Sequence, residues 1–366
     1  MKTEFDFLFE NYPSRVLILD ELPDIRDLSR HFYANCPALL VCDSNTEGIA
    51  RKILRKTAGV RLLTLESGEN TKSWEPVEAI LRSARSMGLG RDGLFVGIGG
   101  GVTSDLTAFA ASIYMRGVRL CLVSTTLLGM VDASIGGKTG IDLFTLKNMA
   151  GTFYPAGLVV LPLEALDTLS EKEWKSGMAE LIKMAVIDSE DFFELMKKLI
   201  SLEENGRQDP HYRACLKECI SRAVAIKGRI VEADFRETGK ERVLLHLGHT
   251  FGHALESAAG LGLLSHGEAV AWGIARSCEL GMVMGFTPKK RAMEITETLN
   301  GYGYEIKAPH PLIKSQEFIW NAMQGDKKQA AKKLKFIVPG ETGVQVIEDN
   351  VGEDLLKKIL NGECPI

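Results

Sequence analysis

Short apolar runs alternate with stretches of helical periodicity through roughly the first 165 residues, the reach of one ordinary domain. RVLIL from Arg15, ALLVC from Ala38, VRLLTL from Val60, GLFVGIG from Gly93, RLCLVST from Arg119 and LVVLPL from Leu158 are each bounded by polar, Gly or Pro residues. Runs this short and this apolar predict strands covered on both faces. Between them, TEGIARKILRKTAG and SWEPVEAILRSARSMG repeat apolar residues every three or four positions and close on Gly, which predicts helices. A βαβ series of this kind implies a mostly parallel sheet whose ligand crevice lies at the carboxyl ends of the strands.

Beyond about Ala165 the pattern changes to helices. EKEWKSGMAELIKMAVI, SEDFFELMKKLISLEE and HYRACLKECISRAVAIKGRIVEA are long and amphipathic, whereas HTFGHALESA and GEAVAWGIARSCELGMVMG are apolar almost all round. The latter two predict core helices. Only LKFIVPGETGVQVIE suggests strands again. The expected organisation is therefore an α/β domain over 1–165 and a mainly α-helical domain over 166–366, in keeping with 366 residues at about 150 per domain.

Composition narrows the function without choosing it. With 45% hydrophobic and 25% charged residues, the chain is neither disordered nor fibrous. A net charge of -4 supplies no global basic field for nucleic acid or an acidic membrane. No apolar run reaches the ~20 residues of a bilayer span. The opening MKTEFDFLFENYPSRV is acidic and mixed, unlike a leader peptide. Seven cysteines without a CxxC pair read as buried free thiols, which places the protein in the cytoplasm.

Three groups of residues carry candidate chemistry. GIGGGVTSDLTAFAAS sets Gly97, Gly99, Gly100 and Gly101 between a strand and a helix, where glycines let a pyrophosphate approach the backbone and the helix start offers N–H groups. The spacing is not GxGxxG, so tight packing is an alternative reading. Asp105 in this apolar setting either caps the helix or accepts a hydrogen bond from a cofactor. Four of the seven histidines fall between His246 and His266. His249 and His253 are four apart, on one face of a helix, and His266 opens the next helix, a pattern suited to a metal or an acid–base site. Imidazoles favour Zn²⁺, Co²⁺ or Fe²⁺ over Mg²⁺. Glu180, in GMAELIKMAV, is the best carboxylate to join them, with Lys183 one turn on. Finally come Arg116, Asp132, Lys138, Lys147, Asn148, Lys183, Lys227, Arg242, Lys327 and Lys328, several of them inside Gly-rich or apolar segments. Cations in such settings need anionic partners, and together they suggest a pocket for a small molecule carrying a phosphate and a carboxylate.

With these segments in order, the sequence resembles the 3-dehydroquinate synthases, sugar-phosphate cyclases of the shikimate pathway. The resemblance runs from GENTKS at Gly68 through GGGVTSD, YMRG, TTLLGMVDASIGGKTGID, LKNMAG, GMAELIK, LGHTFGHALE, SHGEAVAWG and DKK. It implies an N-terminal NAD-binding α/β domain, a mainly helical metal- and substrate-binding domain, and a homodimer acting on a sugar phosphate. It implies NAD and one divalent metal, Zn²⁺ or Co²⁺, as cofactors. Glu180, His249 and His266 would be the metal ligands and His253 would face the substrate phosphate, which overrules the pairing of His249 with His253 by spacing alone. Asp43, Glu69, Lys72, Gly99, Gly100, Gly101, Val102, Asp105, Thr125 and Thr126 would bind NAD. Asp132 and Lys183 would contact sugar hydroxyls, while Lys147 would touch substrate or nicotinamide. Lys138, which the same carry-over also sets beside the cofactor, would hold the phosphate with Asn148 and Lys327 or Lys328. Arg116 would reach in from the partner subunit, and Lys227 and Arg242 would hold the carboxylate.

The sequence departs from that family at three points. His246 stands where asparagine is usual, the loop ETGKER is one residue longer before Arg242, and TSD replaces the commoner IGD after the glycines. Two other enzyme readings remain: a sibling cyclase whose substrate lacks a carboxylate, and a metal-dependent polyol dehydrogenase.

Overall fold

The structure is a computed structural model that describes the chain apart from residues 1–2, 34–35, 56, 58, 145, 261–262, 314, 331–333, 349–350 and 365, and apart from the side chains of 325–330. The chain divides into two compact units, Met1–Trp174 with Lys227–Arg236, and Lys175–Ile226 with Glu237–Ile366.

The first unit is built on seven strands. β1 (Glu4–Phe9) and β2 (Tyr12–Leu19) form an antiparallel edge, and β3 (Ala38–Asp43), β4 (Val60–Leu65), β5 (Leu94–Gly99) and β6 (Arg119–Ser124) follow. A short hairpin of β7 (Lys138–Leu143) and β8 (Leu146–Phe153) stands apart from the sheet, and β9 (Leu158–Pro162) returns to it. The sheet order is β1-β2-β9-β6-β5-β3-β4, parallel from β2 onward. All six strands expected from the apolar runs are present. β3, β5 and β9 are almost wholly buried, as strands with two covered faces must be. Leu40, Val96, Ile98, Val123 and Val160 pack in the core of this sheet with Ile25, Leu28 and Ile53.

The bounds of these compact units differ from the single boundary expected near residue 165. The first unit extends to Trp174, and Lys227–Arg236 belongs to it as well. The physical cause is local. Phe235 packs its ring against Phe9 and Phe153, with centroids 5.9 Å and 5.4 Å apart, and the Leu8 N–H donates to Glu232 at 2.7 Å. Gly228 leaves room for the Phe7 ring, which would lie 2.0 Å from a Cβ there. Contacts across more than 200 residues leave no periodic trace in the sequence.

The second unit is helical. Its long elements are Glu171–Asp188 (shared at its start with the first unit), Glu190–Leu202, Pro210–Ala233 (shared at its end with the first unit), His249–Ala259, His266–Val283, Lys289–Gly301, Gln316–Ala330 and Glu353–Leu360. The predicted strand pair appears as β10 (Phe336–Pro339) and β11 (Val344–Ile347), antiparallel. Phe251, Leu255, Trp272, Leu280, Ile319, Phe336 and Leu356 form its core. No described helix is long and apolar enough to cross a membrane. Six cysteines are buried free thiols and Cys364 is partly exposed.

Candidate active site

The strand ends of the first unit gather the residues expected at a nucleotide. β5 ends at Gly99 and the helix Gly101–Ile113 begins two residues on. A Cβ on Gly99 would lie 2.6 Å from Thr103, and one on Gly100 would lie 2.9 Å from Thr126 Cγ2. The close packing and the helix start therefore coincide: glycine is needed for the turn, and the first turn of a helix has backbone N–H groups to offer an anion. At the end of β3, the Asp43 carboxylate accepts from the Thr103 hydroxyl at 2.8 Å and from the Thr46 backbone N–H and hydroxyl at 3.0 Å each. The Thr125 N–H donates to Gly99 O at 3.0 Å, and its buried hydroxyl has no hydrogen-bond partner, as is also true of Ser104. Buried hydroxyls of this kind at a strand end suit a ligand's polar atoms.

Lys72 and Asp105 form one unit. The buried Lys72 ammonium is 2.6 Å from Asp105 Oδ2 and donates to Asn148 Oδ1 at 2.6 Å. Burial opposes its charge, but Asp105 outweighs burial and raises the Lys72 pKa. Burial likewise pushes the Asp105 carboxyl up to about 6 against the pull of Lys72. Asn148, in the left-handed region at φ 55°, donates its N–H to Asp142 Oδ1 at 2.7 Å, and the Asp142 N–H donates to Lys72 O at 2.7 Å. Asn148, expected at the phosphate, is thus tied to the Lys72 loop. Replacing Lys72 by Met should leave Asp105 without its cation and weaken NAD binding by about tenfold, as loss of a charge-assisted bond does. Fluorescence titration of the cofactor checks this; an unchanged affinity would remove Lys72 from the cofactor site.

The remaining cations of this unit divide. Lys138 and Lys147 are exposed on the hairpin, and Lys138 lines a small cavity with Ser104, Asp105 and Thr139. Arg116 is exposed on a turn where Met115 and Arg116 are both left-handed. Glu69 is exposed beside the Lys72 loop, and Val102 lies in the first turn of the glycine helix. Lys227 is buried and pairs with Asp132, donating to its carboxylate and, at 2.6 Å, to its backbone oxygen. Sequence reasoning gave these two residues to different parts of the substrate and did not join them.

The histidine cluster lies in the second unit, on three helices whose glycines permit backbone contact. Cβ atoms would lie 2.0 Å from Gly248 O at Gly273, 2.9 Å from Ala269 O at Gly252 and 2.4 Å from Ser176 Cα at Gly267. These approaches bring together Glu180 of Glu171–Asp188, His249 at the start of His249–Ala259 and His266 at the start of His266–Val283. One donor atom from each falls within 4.8 Å of the others. Glu180 is completely buried; Lys183 pairs with it, yet neither carboxylate oxygen receives a well-directed hydrogen bond. Glu180 Oε1 is 3.7 Å from His249 Nε2 and 3.3 Å from His266 Nε2. The opposite ring nitrogens are engaged elsewhere: His249 Nδ1 meets Leu247 O at 3.2 Å, and His266 Nδ1 meets Glu256 Oε2 at 3.4 Å. Outer partners of this kind orient imidazoles so that Nε2 faces a metal. A buried carboxylate with unsatisfied oxygens and two oriented imidazoles fits a borderline divalent ion such as Zn²⁺ or Co²⁺.

Charge supports that fit. Burial opposes the Glu180 anion, but Lys183 and then His266 hold its carboxyl at about 2. Burial and the Lys183 charge drive His249 well below its ordinary value, leaving a neutral ligand. His266 is also penalised by burial, yet Glu180 and Glu256 raise it to about 10, so a metal would replace a proton on Nε2.

His253 is exposed and lies outside this triad, although its ring centroid is 5.2 Å from that of His249. His246 Nε2 meets Glu237 Oε1 at 3.0 Å, so the unusual histidine has its own carboxylate in the longer loop. Arg242 is buried at the start of the turn Arg242–His246. Lys327 lies in the helix Gln316–Ala330, but its side chain and that of Lys328 fall outside the described residues. Sequence reasoning missed Glu256; its place three residues after His253 and seven after His249, on one helix face, was the available signal.

Comparison with known proteins gives the cluster its context. Residues 62–176 match the 3-dehydroquinate synthase N-terminal domain and residues 177–329 its C-terminal domain. A 3-dehydroquinate synthase of Dictyoglomus turgidum is 40% identical over 81% of this chain and 81% of its own length. One from Helicobacter pylori is 35% identical over 94% of this chain and 95% of its own. Among solved structures, 2-epi-5-epi-valiolone synthase from Streptomyces hygroscopicus, with NAD⁺ and Zn²⁺ bound, superposes with a TM-score of 0.81 at 25% identity, covering 94% of this chain and 95% of that one. A 2-deoxy-scyllo-inosose synthase complexed with carbaglucose-6-phosphate, NAD⁺ and Co²⁺ has a TM-score of 0.80 at 22% identity, covering 98% and 99%, and shares the fold. By the domains it matches and the relatives it resembles along most of its length, the chain belongs to the 3-dehydroquinate synthase family.

Proposed function

We propose that the protein converts 3-deoxy-D-arabino-heptulosonate 7-phosphate to 3-dehydroquinate and phosphate, using NAD and one divalent ion, Zn²⁺ or Co²⁺. The observation that carries this is the buried Glu180 facing the oriented imidazoles of His249 and His266 in a chain of this family. When bound, the metal supplies Lewis acidity to a ring hydroxyl and NAD a reversible hydride acceptor.

The protein's own residues bind, orient and neutralise. The Gly99–Val102 backbone receives the pyrophosphate, with Asp43, Glu69, Lys72, Asp105, Thr125 and Thr126 around the rest of the cofactor. Lys147 is assigned to the nicotinamide side and Lys138 to both cofactor and phosphate. Asp132 and Lys183 position the sugar hydroxyls. Lys138, Asn148, His253 and Lys327 hold the phosphate, whose growing charge as it departs is what their donors stabilise. Lys227, while fixing Asp132, and Arg242 take the carboxylate. The substrate's own phosphate accepts the proton during elimination, so orientation is the main demand on the protein. In this reading the enzyme is a cytoplasmic homodimer, and Arg116 serves the neighbouring subunit's site.

NAD, held at Gly99–Val102, would supply hydride transfer without net consumption. Released phosphate should therefore rise steadily while NADH absorbance stays flat. Steady NADH accumulation would instead indicate a polyol dehydrogenase.

A further inference from the structure

A second donor set stands beside the first. His253, Glu256 and His266 each offer a ligand atom, all within 4.8 Å of one another. His253 and Glu256 lie one turn apart on the helix His249–Ala259, and His266 opens the next helix. His266 Nε2 faces Glu180 at 3.3 Å while His266 Nδ1 faces Glu256 at 3.4 Å, so the two nitrogens of one ring serve two donor sets.

We propose that His253, Glu256 and His266 form a second, weaker divalent-metal site, joined to the first through the His266 ring, whose occupation inhibits the enzyme. The donors, two imidazoles and a carboxylate, suit Zn²⁺ or Cu²⁺ and leave positions for water. The site is weaker because the groups it does not share meet solvent: His253 is exposed and Glu256 is 21% accessible, against 14% for His249 and 0% for Glu180. An ion binding at Nδ1 takes the place of the proton there, which passes to solvent and ends the hydrogen bond to Glu256 Oε2; as the bonds to Nδ1, His253 and Glu256 form, the ion releases hydration waters. Two consequences follow. The ion draws electron density from the ring and weakens the Nε2 donor of the first site. It also occupies His253, which, on the reading under Proposed function, faces the substrate phosphate.

Equilibrium dialysis of the metal-free, full-length protein against Zn²⁺ tests this without substrate. Wild type should bind two equivalents, the second roughly 10- to 100-fold weaker, the range seen when ligand support is incomplete. In Glu256→Gln, the amide oxygen still accepts the Nδ1–H bond but is a poorer ligand. That variant should keep the first equivalent and weaken the second at least about tenfold, and His253→Asn should do the same through a different residue. Saturation of wild type at one equivalent would overturn the proposal, as would a second equivalent unmoved in both variants. Because dialysis involves no turnover, a failed cyclase assay with this binding pattern intact would sink only the functional reading.

Discussion

Glu180→Gln is expected to cost the protein both its metal and a large part of its stability. Glu180 and Lys183 are 0% and 1% exposed and pair with each other one helical turn apart. Removing the carboxylate leaves the lysine ammonium buried without its anion, a change worth about 3–5 kcal/mol. It also removes the carboxylate donor of the metal set and the anion that faces His266 Nε2. Losing metal polarisation should lower turnover about a thousandfold, equivalent to about 4 kcal/mol of transition-state stabilisation. Urea unfolding and metal analysis separate the two effects. The double variant Glu180→Gln with Lys183→Met should recover most of the stability and none of the metal. A Glu180→Gln protein that keeps its metal would exclude Glu180 as a ligand.

Gly273→Ala adds one methyl group and should act on the same site from a distance. Its Cβ would lie 2.0 Å from Gly248 O and 2.9 Å from Gly252 N, both backbone atoms that cannot swing aside. The helices His249–Ala259 and His266–Val283 must part, at about 1–3 kcal/mol for overpacking of this kind. Each carries a ligand at its first turn, and metal–ligand distances tolerate only about 0.2 Å. Metal affinity should therefore fall together with stability. Gly301→Ala is the control: nothing lies within 4 Å of a Cβ there and its φ is not left-handed, so stability should hold or rise slightly. Equal effects at both positions would mean that the close crossing does not set the metal geometry.

The fold was legible where burial is continuous along the chain. Strands covered on both faces write their signal in consecutive residues, which is why β3, β5 and β9 stand out in the sequence. The hairpin of β7 and β8 was not legible. Its outer strand is largely exposed, and its centre pairs Gly140 with Gly151, where a Cβ on Gly151 would lie 1.9 Å from Thr139 O. Neither apolar alternation nor propensity marks such a pair. β1 was missed for a related reason: as an antiparallel edge strand it alternates EFDF, and an acidic opening segment obscured the period.

At the site, sequence spacing located the histidine cluster but did not rank its members. His249 and His253 share a helix face, and spacing treats them alike. Depth separates them, because the buried Glu180 faces His249 while the exposed His253 groups with Glu256. The tie between Lys227 and Asp132 spans 95 residues and required the folded chain. His246 was visible as an unusual residue, whereas its partner Glu237 was not.

The most direct test supplies purified protein with NAD⁺ and Co²⁺ and measures phosphate release from two sugar phosphates. Release from 3-deoxy-D-arabino-heptulosonate 7-phosphate, with 3-dehydroquinate appearing in equal amount, is the predicted result. Release only from sedoheptulose 7-phosphate, which offers no carboxylate to Lys227 and Arg242, would contradict it.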